Sequence, residues 1–212
     1  MSLLGKSVDD LDTPALCVDL DAMDSNIREL ATACRQNGVA WRPHAKCHKS
    51  IDVGRKLIAA GAIGLTCAKL GEAEIFAAAG IKDLLIANEL VGPQKVRRLV
   101  ELRRIADPVF CIDHIDQARP ISQSMHAAGL RVRAVLEVNV GMNRAGILPG
   151  KPALSLAQEI VRLPGIELAG VMGWEGHLVI VEDPKEKETR IREALSQLTA
   201  TRDLLVANSL PC

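Results

Sequence analysis

The sequence predicts an α/β fold built on a parallel sheet. Short apolar or β-branched runs alternate with amphipathic segments along the 212-residue chain. The alternation repeats at roughly 20–30 residues, about the length of a strand plus its crossover helix. Glycines stand where the helical patterns should stop. The connections are single helices, which leaves two architectures: an open doubly wound sheet or a (β/α)8 barrel. No GxGxxG follows the first strand, which weakens a dinucleotide-binding sheet.

The elements follow in order. "PALCVDL" (14–20) reads as a strand, and "DAMDSNIRELATACRQNG" (21–38) as a helix with Met23, Ile27, Leu30 and Cys34 on one face. "VAWRP" (39–43) reads as a second strand, and "SIDVGRKLIAAG" (50–61) as a helix. Three βα pairs come next: 62–68 with 70–80, 83–88 with 92–106, and 108–113 with 114–129. Pro93 suits the first turn of its helix, whereas Pro120 should disturb the one that holds it. Residues 131–140 and 166–174 are strands separated by the helix "PALSLAQEIVRL" (152–163). The last helix, 183–209, carries Ile191, Leu195 and Leu198 at helical spacing. Counted from "VAWRP", there are about six βα units, whereas a complete barrel has eight.

Composition excludes several function classes. The chain is 48% hydrophobic and 25% charged, with 26 basic against 26 acidic residues. A net charge of +0 gives no electrostatic footprint for nucleic acid or a membrane surface. Aromatics are 2% and Tyr is missing, so base-stacking platforms are not expected. The six cysteines form no CxxC pair and several sit in apolar runs, as expected of reduced thiols in a cytoplasmic protein. No run of about 18 apolar residues marks a membrane span, and the acidic N-terminus does not read as a signal peptide.

Polar residues cluster just past the strand ends. They include Lys46 and His48, Lys69, Asn88 and Glu89, Asp113 and His114, Asn139, Asn143 and Arg144, and finally Trp174, Glu175 and His177. In a barrel these ends converge on one face, where active sites lie. "RPHAKCHK" (42–49) is the densest cluster. A lysine near other cations and partly desolvated has its amine form favoured, and a neutral amine attacks a carbonyl to form a Schiff base. A solvated polar turn explains the same residues. His44 and His48 stand four apart, a metal-binding spacing if helical, though Pro43 leaves the register open and proton transfer by one of them fits better. Cys47 is either a reactive thiol or a neighbour without a role. Arg144 lies in a glycine-flanked segment that either turns it into the barrel mouth or leaves it on a surface loop. Glu175 and His177 stand on a turn between strand and helix.

Several segments in this order carry a family resemblance. They are "TPALCVDLDAMDSNIREL", "RPHAKCHKS", "AKLGEAEIFAAAGIKDLLIANELVGPQK", "EVNVGMNRAGI" and "GVMGWEGH". Together they resemble the D-threonine aldolase and D-serine dehydratase-like family of pyridoxal-phosphate enzymes, from about Asp12 to the last helix. The resemblance implies a (β/α)8-type TIM barrel of the alanine racemase N-terminal kind, incomplete over 1–212, with the family's C-terminal β domain absent. It implies that Lys46 carries pyridoxal 5'-phosphate and that Arg144 lies near the ring's phenolic oxygen. His44, Trp174 and His177 are implied around the cofactor, and Lys46 and His48 in proton transfer. Family members often carry Tyr where Trp174 stands and Thr where Cys47 stands. The implied reaction is retro-aldol cleavage of a D-3-hydroxy amino acid to glycine and an aldehyde. The alternatives are D-serine dehydratase-like elimination, a non-catalytic pyridoxal-phosphate-binding protein, and a half-barrel interaction module. The family's phosphate loop after the seventh strand, and its divalent metal ligands in the C-terminal domain, are expected to lie outside this chain. The chain is therefore expected to be a fragment or a truncated product. A small-molecule D-amino acid is the expected partner, and open strand edges make a homodimer the expected assembly.

Overall fold

The computed structural model describes residues 4–212. The chain divides into two compact units, one ending at Trp41 and the other running Arg42–Cys212. In the first unit, a short 3-10 turn (Val8–Asp10) is closed by a capping box on Ser7. Helix α1 (Leu20–Gln36) starts where Asp19 Oδ1 accepts the Ala22 N–H at 3.0 Å. The segment 14–19, expected as a strand, forms none. A strand needs a neighbour for its N–H and C=O groups, and Leu16 here is 95% exposed.

The second unit is built of βα repeats. Helix α2 (Ile51–Ala59) is followed by β1 (Leu65–Cys67), α3 (Leu70–Ala78), β2 (Asp83–Glu89), α4 (Pro93–Ile105) and β3 (Asp107–Ile112). Then come α5 (Ile115–Ala127), β4 (Val132–Glu137), α6 (Lys151–Ile160), β5 (Ile166–Met172) and α7 (Pro184–Ala207). All five strands are parallel, in the spatial order β1-β2-β3-β4-β5. This decides between the two architectures: a doubly wound sheet reverses its strand order at a switch point, whereas a barrel adds each strand beside the last.

The expected strand 39–43 is reduced to a single bridge, His44 to Thr66. The Ala45 N–H donates to Thr66 O at 2.7 Å and the Thr66 N–H to Pro43 O at 2.8 Å. Pro43 has no N–H, so the ladder cannot extend backwards through it. Five strands plus this bridge thus stand for the six repeats. Pro120 does not break α5, which runs through it. Pro120 and Asp116 are both exposed, so the carbonyl that loses its helical partner faces water.

The outward face of the sheet is the core. Leu84, Ile86, Phe110, Ile112 and Leu136 are fully buried beneath the helices. Each such side chain contributes about 1.5–3 kcal/mol by leaving water. A second apolar cluster lies under the loops past β4 and β5. It joins Val138, Val140, Leu178 and Ala194 to Ile147, Val171, Ile191 and Leu198. Ile191 and Leu198 are thus the packed part of the α7 stripe, while Leu195 stays half-exposed.

Candidate active site

The bridge after Pro43 decides where the lysine goes. Successive residues of an extended segment face opposite ways. Ala45 is buried, and His44 and Lys46 therefore turn to the other side, into a cleft inside the arc of strands. The chain then turns sharply, with Lys49 N–H donating to Ala45 O and Lys49 at φ 50°. Ser50 caps α2, its Oγ accepting the Val53 N–H.

The loop 138–147 brings the arginine. Asn139 Oδ1 accepts the Gly141 and Asn143 N–H groups at 3.0 and 3.1 Å, which folds the loop back on itself. The returning strand closes against β4, with Ile147 N–H donating to Glu137 O and Asn139 N–H to Ile147 O. Gly146, at φ 101°, makes this return, and its N–H donates to Asp113 Oδ2 at 3.0 Å. Trp174 enters from the loop after β5. A Cβ at Gly176 would overlap its indole, so the second glycine of "GWEGH" makes room for the ring.

These pieces meet around a cavity of about 790 Å³. It is lined by Arg42, His44, Lys46, Thr66, Asn88, Glu89, Arg144 and Trp174, with Leu85, Ala87 and Met172 deeper. Lys46 Nζ lies 5.3 Å from the centre of the Trp174 ring and the Arg144 guanidinium carbon 4.7 Å from it. Both are within cation–π reach. Among the described residues neither cation forms an ion pair with a carboxylate. His44 Nδ1 accepts the Lys46 backbone N–H at 3.2 Å. Burial, and then the charge of Lys46, lower the pKa of His44, so it is neutral at pH 7.

Sequence reasoning placed Lys46, His44, Arg144 and Trp174 together, and the structure brings those four together. His48 and His177 do not line the cleft. His48 packs edge-on against Phe76, its Nδ1 accepts the Ser50 N–H at 3.0 Å, and burial lowers its pKa. The His177 ring lies against Gly141, bracing the arginine loop from behind. Cys47 Sγ donates to the His44 carbonyl and is exposed. Sequence reasoning missed Arg42, Thr66 and Glu137. Alternation along "RVRAVLEV" would have found Glu137, since Arg133, Val135 and Glu137 share one face. Among the described residues no three His, Cys, Asp or Glu side chains converge so as to hold a metal ion. No helix among them is long and apolar enough to cross a membrane.

Comparison with known proteins agrees with this fold. The family model for the alanine racemase N-terminal domain matches residues 18–212. A D-threonine aldolase of Arthrobacter sp is 35% identical over 202 residues, 95% of this chain and 53% of that protein. A D-threo-3-hydroxyaspartate dehydratase of Delftia sp. (strain HT23) is 30% identical over 204 residues, again 95% of this chain and 53% of that protein. A crystal structure of D-threonine aldolase from Filomicrobium marinum superposes with a TM-score of 0.94 at 38% identity, covering 97% of this chain and 56% of that one. The chain spans about half the length of the relatives it matches.

Proposed function

Because the chain belongs to the alanine racemase N-terminal domain family, we propose that it holds pyridoxal phosphate for an aldolase acting on D-3-hydroxy amino acids. The observation that carries this reading is the meeting of Lys46 and Arg144 at the Trp174 ring in a cleft of about 790 Å³. An anionic aromatic aldehyde suits that cleft, which offers one amine, one guanidinium without a carboxylate partner and an indole face.

Each side chain then has a task. Lys46 is the amine of the cleft lining and the nucleophile toward the cofactor's aldehyde carbon. Arg144, on the same lining, would donate hydrogen bonds to the cofactor's phenolic oxygen. His44 keeps its Nε2–H as a donor, because its Nδ1 is already an acceptor. Trp174 covers one side of the cleft and excludes water. When bound, pyridoxal phosphate supplies an electron sink for the pair left as a bond to the substrate Cα breaks. With cofactor and substrate bound, the freed Lys46 amine would take the proton of the substrate's β-hydroxyl and return it to Cα, so that Cα–Cβ cleavage would yield glycine and an aldehyde. The described residues offer no metal-ligand set, so no step is assigned to a cation. Six free thiols favour a cytoplasmic setting.

The test is product analysis with pyridoxal phosphate and D-threonine. Glycine and acetaldehyde in equal amounts, and none from L-threonine, are expected. The similarity to the Delftia dehydratase supports a second reading, elimination of water from the same substrates. Ammonia and a 2-oxo acid would establish that reading instead. No turnover by protein saturated with cofactor would reject both.

A further inference from the structure

We propose that Glu89, on the cleft lining, and Glu137, in the smaller cavity that Arg144 and Trp174 also line, share a single proton and act as a positioning pair for Arg144. Glu89 ends β2 and Glu137 ends β4. Between them lies Cys111 of β3, in register with Glu89 on one side and with Val135 on the other. Glu137 is 6% exposed, a degree of burial rare for a carboxylate without a cation. Among the described residues neither glutamate forms an ion pair. Glu89 Oε1 is enclosed and receives no hydrogen bond.

The register through Cys111 brings the two carboxyl groups close enough for each to act on the other, and only protonation makes that approach favourable. Two ionised carboxylates would repel and leave Glu89 Oε1 an orphan. One proton turns the repulsion into an O–H···O bond and satisfies the orphan atom. Burial first, and then the charge of Glu89, push Glu137 up to about 7, while Arg144 pulls it down.

The neighbours on every side are known. From β2 comes Glu89, from β3 the Cys111 thiol, and from the loop past β4 the Arg144 guanidinium. Burial and both glutamates raise the Cys111 thiol, so it stays protonated. Met172 of β5 meets it at 3.7 Å and carries no charge. Asp113 is engaged with the Gly146 N–H. His44 and Lys46 lie elsewhere on the cleft lining, and His177 sits behind the loop.

Below about pH 7 the pair holds one negative charge, which Arg144 balances. Above it, the proton goes to solvent and the pair holds two. The second charge draws Arg144 toward the two carboxylates and away from Trp174. Only the consequence for the cofactor rests on the proposed function; the shared proton belongs to the protein without cofactor.

The test therefore uses cofactor-free protein with 13C-labelled glutamate and a Trp41→Phe background, which leaves Trp174 as the sole tryptophan. Carboxyl NMR should show one glutamate titrating near neutral pH, and Trp174 fluorescence should step at the same midpoint. Glu89→Gln should lower that midpoint by about one unit or more, because a like charge is gone. Glu137→Gln should abolish both signals. If Glu137→Gln fails to fold by circular dichroism, Glu89→Gln carries the test. Ordinary acidic midpoints for every glutamate, or a neutral midpoint unmoved in Glu89→Gln, would overturn the shared proton. Normal titration with no cofactor binding would uphold the pair and reject the cofactor reading.

Discussion

The two ends of the parallel sheet treat charge in opposite ways. At the end where strands begin, cations and carboxylates are matched. Arg42 reaches Asp83 at 2.6 Å, and Arg133 reaches Asp107 at 2.7 Å and Asp83 at 3.6 Å. At the end where strands finish, Lys46 and Arg144 reach an indole, and Glu89 and Glu137 stand on either side of Cys111. One end has settled its charges within the protein. The other leaves its cations without carboxylate partners at ion-pair distance, and its two glutamates act on each other. This is the division expected of barrels, whose chemistry lies where the strands finish and whose stability lies at the other end.

Substitution of one arginine at each end sharpens the contrast most. Arg133→Met leaves Asp83 and Asp107 facing each other and should cost about 1–2 kcal/mol in urea unfolding, given partly exposed partners. Arg144→Met should cost less, under about 1 kcal/mol, because that side chain is exposed and meets the glutamate charge only at longer range. Equal losses would erase the difference between the ends.

A smaller effect is read by pH. Glu137 titrates at about 7 in the fold against an ordinary 4.5, so the native state keeps a proton that the unfolded chain releases. Its contribution to stability is complete below pH 4.5 and is lost as pH rises through about 7. His44 and His48 are held neutral, so their contribution runs the other way and is lost as pH falls below 6.5. The difference between wild type and Glu137→Gln, measured by urea unfolding across this range, isolates the glutamate. A pH-independent difference would refute the raised carboxyl. The smallest effect is expected from Trp174→Leu, which should weaken pyridoxal phosphate binding about two- to five-fold, the ~0.5–1 kcal/mol of an exposed cation–π contact. Unchanged affinity in equilibrium titration would show that the ring only fills space.

Much of this was legible in the sequence, and the parts that were not have physical reasons. The βα alternation gave seven helices and five strands, because periodicity and glycine stops are local signals. Segments 14–20 and 39–43 look like strands by composition, yet a strand is made by its neighbour, and composition does not reveal one. "RPHAKCHK" and "VGMNRAG" announced Lys46 and Arg144, since polar residues past strand ends face one mouth. His48 lies off the cleft for a local reason: the chain turns over residues 45–48, closed by the Lys49 N–H on Ala45 O, so the second histidine leaves the face of the first. The carboxyl pair was not foreseen because Glu89 and Glu137 are 48 residues apart, and only the sheet register joins them through Cys111.

The central claim is that Lys46 is the cofactor's attachment point. The measurement that tests it most directly is borohydride reduction of the protein with pyridoxal phosphate, followed by peptide mapping. A visible absorbance band and a single label on Lys46 are expected, with band and label both lost in Lys46→Ala. Labels scattered over surface lysines, or a band that survives Lys46→Ala, would contradict it.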